Sequence, residues 1–187
     1  LKLRFSKGSV QLDGIFFSTT ACKAAIALGD VVEVAFSPQI NEFRGLRTVQ
    51  LNITDIRPSL ACRQAMEREK KIYACLVGDG AASLDWDSLI PPRREFAAVW
   101  RYLRANSTGG SVMDEFTVLS RKIARSAGLP VSFVRTRICL DVLAERGLIQ
   151  LESGTHMMTI RLTPEPGKVD LENSAILLHL RNQKRGD

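Results

Sequence analysis

The chemistry open to this chain lies in basic, amide and aromatic side chains rather than in acid–base pairs. Its two histidines, His156 and His179, stand in different contexts, and Cys22, Cys62, Cys75 and Cys139 lie far apart with no CxxC pair. A zinc site needs closely spaced ligands, and metal-assisted phosphodiester hydrolysis needs carboxylates and imidazoles gathered around one or two divalent ions. Neither arrangement can be read here, so no catalytic residue, metal or other cofactor is expected in this chain. The cysteines read as buried thiols, since free Cys behaves as a small core residue.

What remains suits a polyanion. Single strands are held by basic side chains that track phosphates and by aromatic faces on which bases stack. Leu1, Leu3 and Phe5 alternate with Lys2, Arg4 and Ser6, the period of a half-buried strand. If the apolar set is inside, Lys2 and Arg4 are outside. By the same alternation Gln50 and Asn52 point away from Val49, Leu51 and Ile53, and Phe16 is opposite in phase to Ile15 and Phe17. A turn adds Phe43, Arg44 and Arg47. Lys2, Arg4, Arg44 and Arg47 are therefore candidate phosphate contacts and Phe16 or Phe43 a candidate stacking platform, with Gln50 and Asn52 beside them. Either aromatic taken singly is also explained as a core residue, and the basic residues as solvated surface.

The elements that position these residues are short strands. Residues 1–5 and 10–17 form a hairpin around Lys7-Gly8-Ser9, with a bulge or sharp bend expected at Gly14. Residues 20–28 read as a small Ala-rich helix ended by Gly29, and residues 31–36 as a third strand. Residues 39–43 and a long strand carrying Val49, Leu51 and Ile53 make a second hairpin across Arg44-Gly45. Five short, bent strands suit a closed barrel, because closure removes exposed edges. The expected fold class is α+β in two domains: an OB-type five-stranded barrel over 1–58, a linking helix and loop over 59–92, and a winged-helix domain with a C-terminal tail over 93–187.

In the linking region Leu60 to Val77 has helix-compatible spacing, although residues 72–77 could instead be a strand, and Trp86 should pin the loop of residues 78–89. Beyond Pro91-Pro92, Phe96, Val99, Trp100 and Leu103 share one face of a first helix ending near Asn106. A second helix stops at Gly128, and a third opens at Pro130 and Ser132 and closes at Gly147. Residues 148–151 and 157–162 follow as the two strands of a wing. In a DNA-binding winged helix the third helix enters the major groove, which makes Arg135 and Arg137, with Thr136 between them, candidate DNA contacts. The wing tip, Glu152-Ser153-Gly154-Thr155, has no Lys or Arg, and the same architecture also docks proteins.

The net charge of +6 suits a polyanionic partner without requiring one. No apolar run is long enough to span a membrane and no secretory leader is present, so a cytoplasmic protein is expected. The start at Leu1, inside a strand, suggests a piece of a longer protein.

Residues 40–57, Ile-Asn-Glu-Phe-Arg-Gly-Leu-Arg-Thr-Val-Gln-Leu-Asn-Ile-Thr-Asp-Ile-Arg, resemble the OB-domain hairpin of RecJ, the bacterial single-strand-specific exonuclease. Residues 29–36, Gly-Asp-Val-Val-Glu-Val-Ala-Phe, resemble the strand that approaches it, so the likeness covers about the first 58 residues. Residues 167–174 resemble the ending of an extra C-terminal region that some RecJ proteins carry. The resemblance implies a parent enzyme that degrades single-stranded DNA from 5′ to 3′ in DNA repair and recombination, using Mn²⁺ or Mg²⁺ in a DHH-type core. That motif is absent here. The implied role is a non-catalytic, single-stranded-DNA-binding C-terminal region, with single-stranded DNA and the parent's catalytic core as partners. The alternative is an interaction module whose winged helix docks another DNA-repair protein while the barrel packs on the nuclease core. A regulator reading duplex DNA is a third reading, one that leaves the barrel without a role.

Overall fold

The computed structural model describes residues 1–21, 23–43, 45–77, 84–130, 132–154, 157–164, 167 and 169–185. Two compact units divide the chain, Leu1–Arg63 and Gln64–Asp187.

In the first unit, β1 (Lys2–Lys7), β2 (Val10–Ile15), β3 (Val32–Phe43) and β4 (Leu46–Pro58) form one sheet in the order β1-β2-β4-β3. β1 pairs antiparallel with β2, and β3 with β4, while β2 meets β4 in a short parallel stretch, Asp13↔Gln50 to Ile15↔Asn52. Its core is Ile26, Leu51, Ile53 and Ile56, with Leu3, Phe5, Leu12 and Val34 packed against them.

Three expectations are corrected here. The closed barrel of five strands is a four-stranded sheet with β1 and β3 at its edges among the described residues. The two strands expected at 31–36 and 39–43 are one, because Ser37-Pro38 does not break it: an edge strand tolerates a residue with no N–H to donate, and a register shift between Ala35 and Phe36 supplies the bend. No bulge occurs at Gly14, whose pairing with Leu3 and Leu51 is regular. The glycine serves close packing instead, since a Cβ there would lie 2.9 Å from Ile53 Cδ1 and 3.0 Å from Phe5 Cε2. Gly14→Ala is expected to cost about 1–3 kcal/mol through overpacking, read as a lower urea midpoint with an unchanged slope.

The small helix expected at 20–28 is a series of turns among its described residues. Ala25 takes a left-handed φ of 50°, which no helix accommodates, and the Asp30 carboxylate accepts the Ala27 N–H at 2.8 Å. Burial of Ile26 in the core holds the loop.

The second unit holds most of α1 (Leu60–Val77), then α2 (Trp86–Leu89), α3 (Arg93–Asn106), β5 (Ser111–Asp114), α4 (Phe116–Ala127), α5 (Phe133–Glu145), β6 (Ile149–Ser153), β7 (Met158–Leu162), a 3-10 turn at Leu171–Asn173 and α6 (Ala175–Arg185). Residues 72–77 are helical, the first of the two options left open above. β5, β7 and β6 form a three-stranded antiparallel sheet in that order. β5 is not among the strands expected from the sequence, because four residues are too few for alternation to register. The helix termini agree with local signals: Ser132 caps α5 by accepting the Arg135 N–H, and Gly128 ends α4 with a left-handed φ of 63°. Leu103, Val118, Leu119, Leu140 and Ile160 are fully buried, and Trp86 is buried as well. α6, which the sequence reading treated as tail, is anchored by Glu145, whose carboxylate accepts from the Ser174 hydroxyl and the Ala175 and Ile176 N–H groups. Those bonds hold the Glu145 carboxyl below its ordinary range, against the opposing effect of desolvation. No helix among the described residues is long and apolar enough to cross a membrane.

Candidate nucleic-acid interface

Strand pairing sorts the expected contacts. Directly paired residues point to the same side of a sheet, so one face of the first unit presents two adjacent rows, Lys2–Ile15–Asn52–Ser37 and Arg4–Asp13–Gln50–Gln39. Lys2 and Arg4 are exposed, Gln50 and Asn52 half-buried. Lys2, Arg4, Asp13, Ile15 and Gln50 line a shallow depression there. The structure therefore brings together Lys2, Arg4, Gln50 and Asn52.

It does not bring Arg47 to them. Arg47 pairs with Glu42, in phase with Val49 and Leu51, on the opposite face, where its Nε lies 3.8 Å from the Glu42 carboxylate. Arg44 and the side chain of Phe43 lie outside the described residues. Phe16 packs against the core and Phe17 is 65% exposed, the reverse of the expected phase. The reason is that β2 stops at Ile15, and the chain then turns through Ser18 with a positive φ, so strand alternation no longer applies.

Asp13 is the residue that sequence reasoning missed. Arg4 donates from Nε to Asp13 Oδ1 at 2.7 Å and from Nη2 to Oδ2 at 3.1 Å, a bidentate pair lying on the same face as Lys2. Hydrogen bonds from Arg4 hold the Asp13 carboxyl below its ordinary range, and the same bonds raise the Arg4 guanidinium. With the two side chains 67% and 56% exposed, the pair is open to water and salt. The signal was present in the sequence only as the hairpin register that sets residue 4 opposite residue 13.

In the second unit Arg135 and Arg137 serve intramolecular contacts. Arg135 Nε lies 3.0 Å from Glu95 Oε2, and its Nη1 donates to the Ser88 carbonyl at 3.4 Å. Arg137 Nε lies 3.0 Å from Asp141 Oδ1, and its guanidinium sits over the rings of Tyr73 at 5.3 Å and Phe116 at 5.9 Å. Tyr73 in turn donates to Asp141 Oδ2 at 2.6 Å. Burial pushes the Tyr73 hydroxyl up to about 12, reinforced by that hydrogen bond. Glu69 accepts from the Ser132 hydroxyl and the Val134 N–H at 3.1 and 2.9 Å, so α1 covers the first turn of α5. Of the 13 residues of α5, eight are buried, among them Val134, Ile138 and Val142; a helix that is apolar on most sides is an interior helix.

These positions now stand beside what is known of other proteins. Residues 1–55 match the RecJ OB domain. The likeness runs from β1 nearly to the end of β4, taking in both rows of the polar face. No curated protein and no solved structure gives a significant match. Among the described residues no group of three or more His, Cys, Asp or Glu side chains converges as metal ligands would.

Proposed function

We infer that this chain is the non-catalytic C-terminal region of a RecJ-like 5′–3′ single-stranded-DNA exonuclease of bacterial DNA repair and recombination, and that its OB domain binds the single strand. The observation that carries the reading is the gathering of Lys2, Arg4, Gln50 and Asn52 on one face of a sheet that matches the RecJ OB domain. Lys2 and Arg4 meet phosphates there, the two amides offer hydrogen bonds to bases, and Phe17 replaces Phe16 as the aromatic with an open face. Residues 1–58 form the strand-binding part, 59–92 the link, and 93–187 a winged-helix domain. The order α3-β5-α4-α5-β6-β7 and the sheet order β5-β7-β6 support that last assignment, β6 and β7 being the wing.

The experiment is a titration of labelled oligothymidylate at several salt concentrations. Each phosphate contact on a single strand contributes about 0.7 to the slope of log affinity against log salt. Lys2→Ala with Arg4→Ala should flatten the slope by up to about 1.4 on that scale, whereas Arg47→Ala, on the other face, should leave it unchanged. An unaltered slope in the double variant refutes the assignment.

A second reading for residues 93–187, a module that docks another repair protein, is favoured by the burial of α5. A helix with Arg135, Arg137 and Asp141 bonded among themselves and to their neighbours, and with its first turn capped by Glu69, has little left to offer a major groove.

A further inference from the structure

The second unit carries a groove on α3 that neither the sheet of the first unit nor α5 accounts for. Arg93, Ala97, Trp100 and Arg104 fall at spacings of four, three and four residues and line it as one stripe. Arg93, Ala97 and Arg104 are exposed and Trp100 half-buried. Leu148, Leu162, Val169 and Leu171 also line the groove, together with the buried Phe96 and Leu143. Among the described residues no acidic side chain lines the groove. Neither Arg93 nor Arg104 has an ion-pair partner among the described residues.

We propose that this groove docks an acidic peptide segment of a partner protein, with an aliphatic or aromatic side chain at its centre and carboxylates on both sides. The arginines are eleven residues apart on one helix, about 16 Å at 1.5 Å per residue, a span that about five extended residues match at ~3.3 Å each. That geometry sets two carboxylate positions around one apolar anchor. The aliphatic walls favour a peptide over a nucleic acid, because a base needs flat stacking partners and polar edges, and Trp100 and Thr163 supply only one of each at the surface. Charge complementarity selects the acidic segment, and the apolar trough supplies most of the affinity. The proposal rests on the reading of residues 93–187 as a protein-docking module.

The test uses the whole chain, ¹⁵N-labelled, with a fluorescein-tagged peptide Gly-Asp-Asp-Leu-Phe-Asp-Asp-Gly, its Leu-Phe→Ser-Ser control, and a DNA duplex. The expected result is saturable binding of the first peptide with amide shifts centred on α3, β7, Gly167, Val169 and Leu171, at least tenfold weakening by Arg93→Glu with Arg104→Glu, and similar weakening by Ala97→Glu. These three positions are exposed, so the variants keep the fold. Equal binding of the two peptides, undiminished binding to the charge-reversed variant, or no binding of either peptide overturns the groove assignment. Duplex binding with shifts centred on α5 overturns the docking reading beneath it, and is distinguished by where the shifts fall.

Discussion

Asp141→Ala is expected to lower the unfolding free energy by about 3 kcal/mol, the scale of losing one partner of a largely buried ion pair. The side chains of Arg137 and Asp141 are only 26% and 19% exposed, so water replaces little of the lost interaction. The carboxylate answers both the Arg137 guanidinium and the Tyr73 hydroxyl, and its removal strips partners from both. Tyr73→Phe, which deletes the hydroxyl alone, should cost about 1 kcal/mol. Urea denaturation of the three proteins separates the cases; equal losses would mean that Asp141 matters only through Tyr73. The same site sets an alkaline limit. With the folded-state hydroxyl at about 12 against an ordinary 10.0, the native state keeps the tyrosine proton longer than the unfolded chain does. Its contribution is therefore complete below pH 10 and fades as pH rises from 10 to 12. In Asp141→Ala, ultraviolet titration should show Tyr73 ionising earlier, while its burial keeps it above the ordinary value.

Asp13→Asn should tighten oligothymidylate binding about fivefold at low salt, the scale of one like-charge contact removed at the water-exposed surface. Any strand that occupies the polar face competes with Asp13 for Arg4, because a guanidinium that gives Nε and Nη2 to one carboxylate has fewer donors for a phosphate. The substitution frees Arg4 and removes a negative charge from the strand's path, so the salt slope should also steepen. The fold should be indifferent, since exposed pairs contribute little. Weaker binding in Asp13→Asn would mean instead that the carboxylate orients Arg4 for the phosphate. Together with the Lys2 and Arg4 substitutions, the variant separates a face that merely carries charge from one that binds a strand.

The face assigned to Lys2, Arg4, Gln50 and Asn52 was legible because strand alternation is local: once Leu3, Phe5, Leu51 and Ile53 are inward, their neighbours cannot be. The same rule failed at Phe16, one residue past the end of β2, and never reached Arg47, whose face follows from counting along β4. Merging two expected strands into β3 needed the knowledge that β3 is an edge, which no stretch of sequence states about itself.

The sequence by itself determined the resemblance to the RecJ OB domain, the helices α3, α4 and α5 and the caps at Ser132 and Gly128, because periodicity and capping act within a few residues. The tertiary structure decided what those elements are free to do. Glu69 caps a helix that begins more than sixty residues later, Tyr73 and Phe116 bracket Arg137, and Asp13 holds Arg4 across a hairpin. Whether a basic side chain waits for a phosphate or is already committed depends on such distant partners, and only packing brings them together.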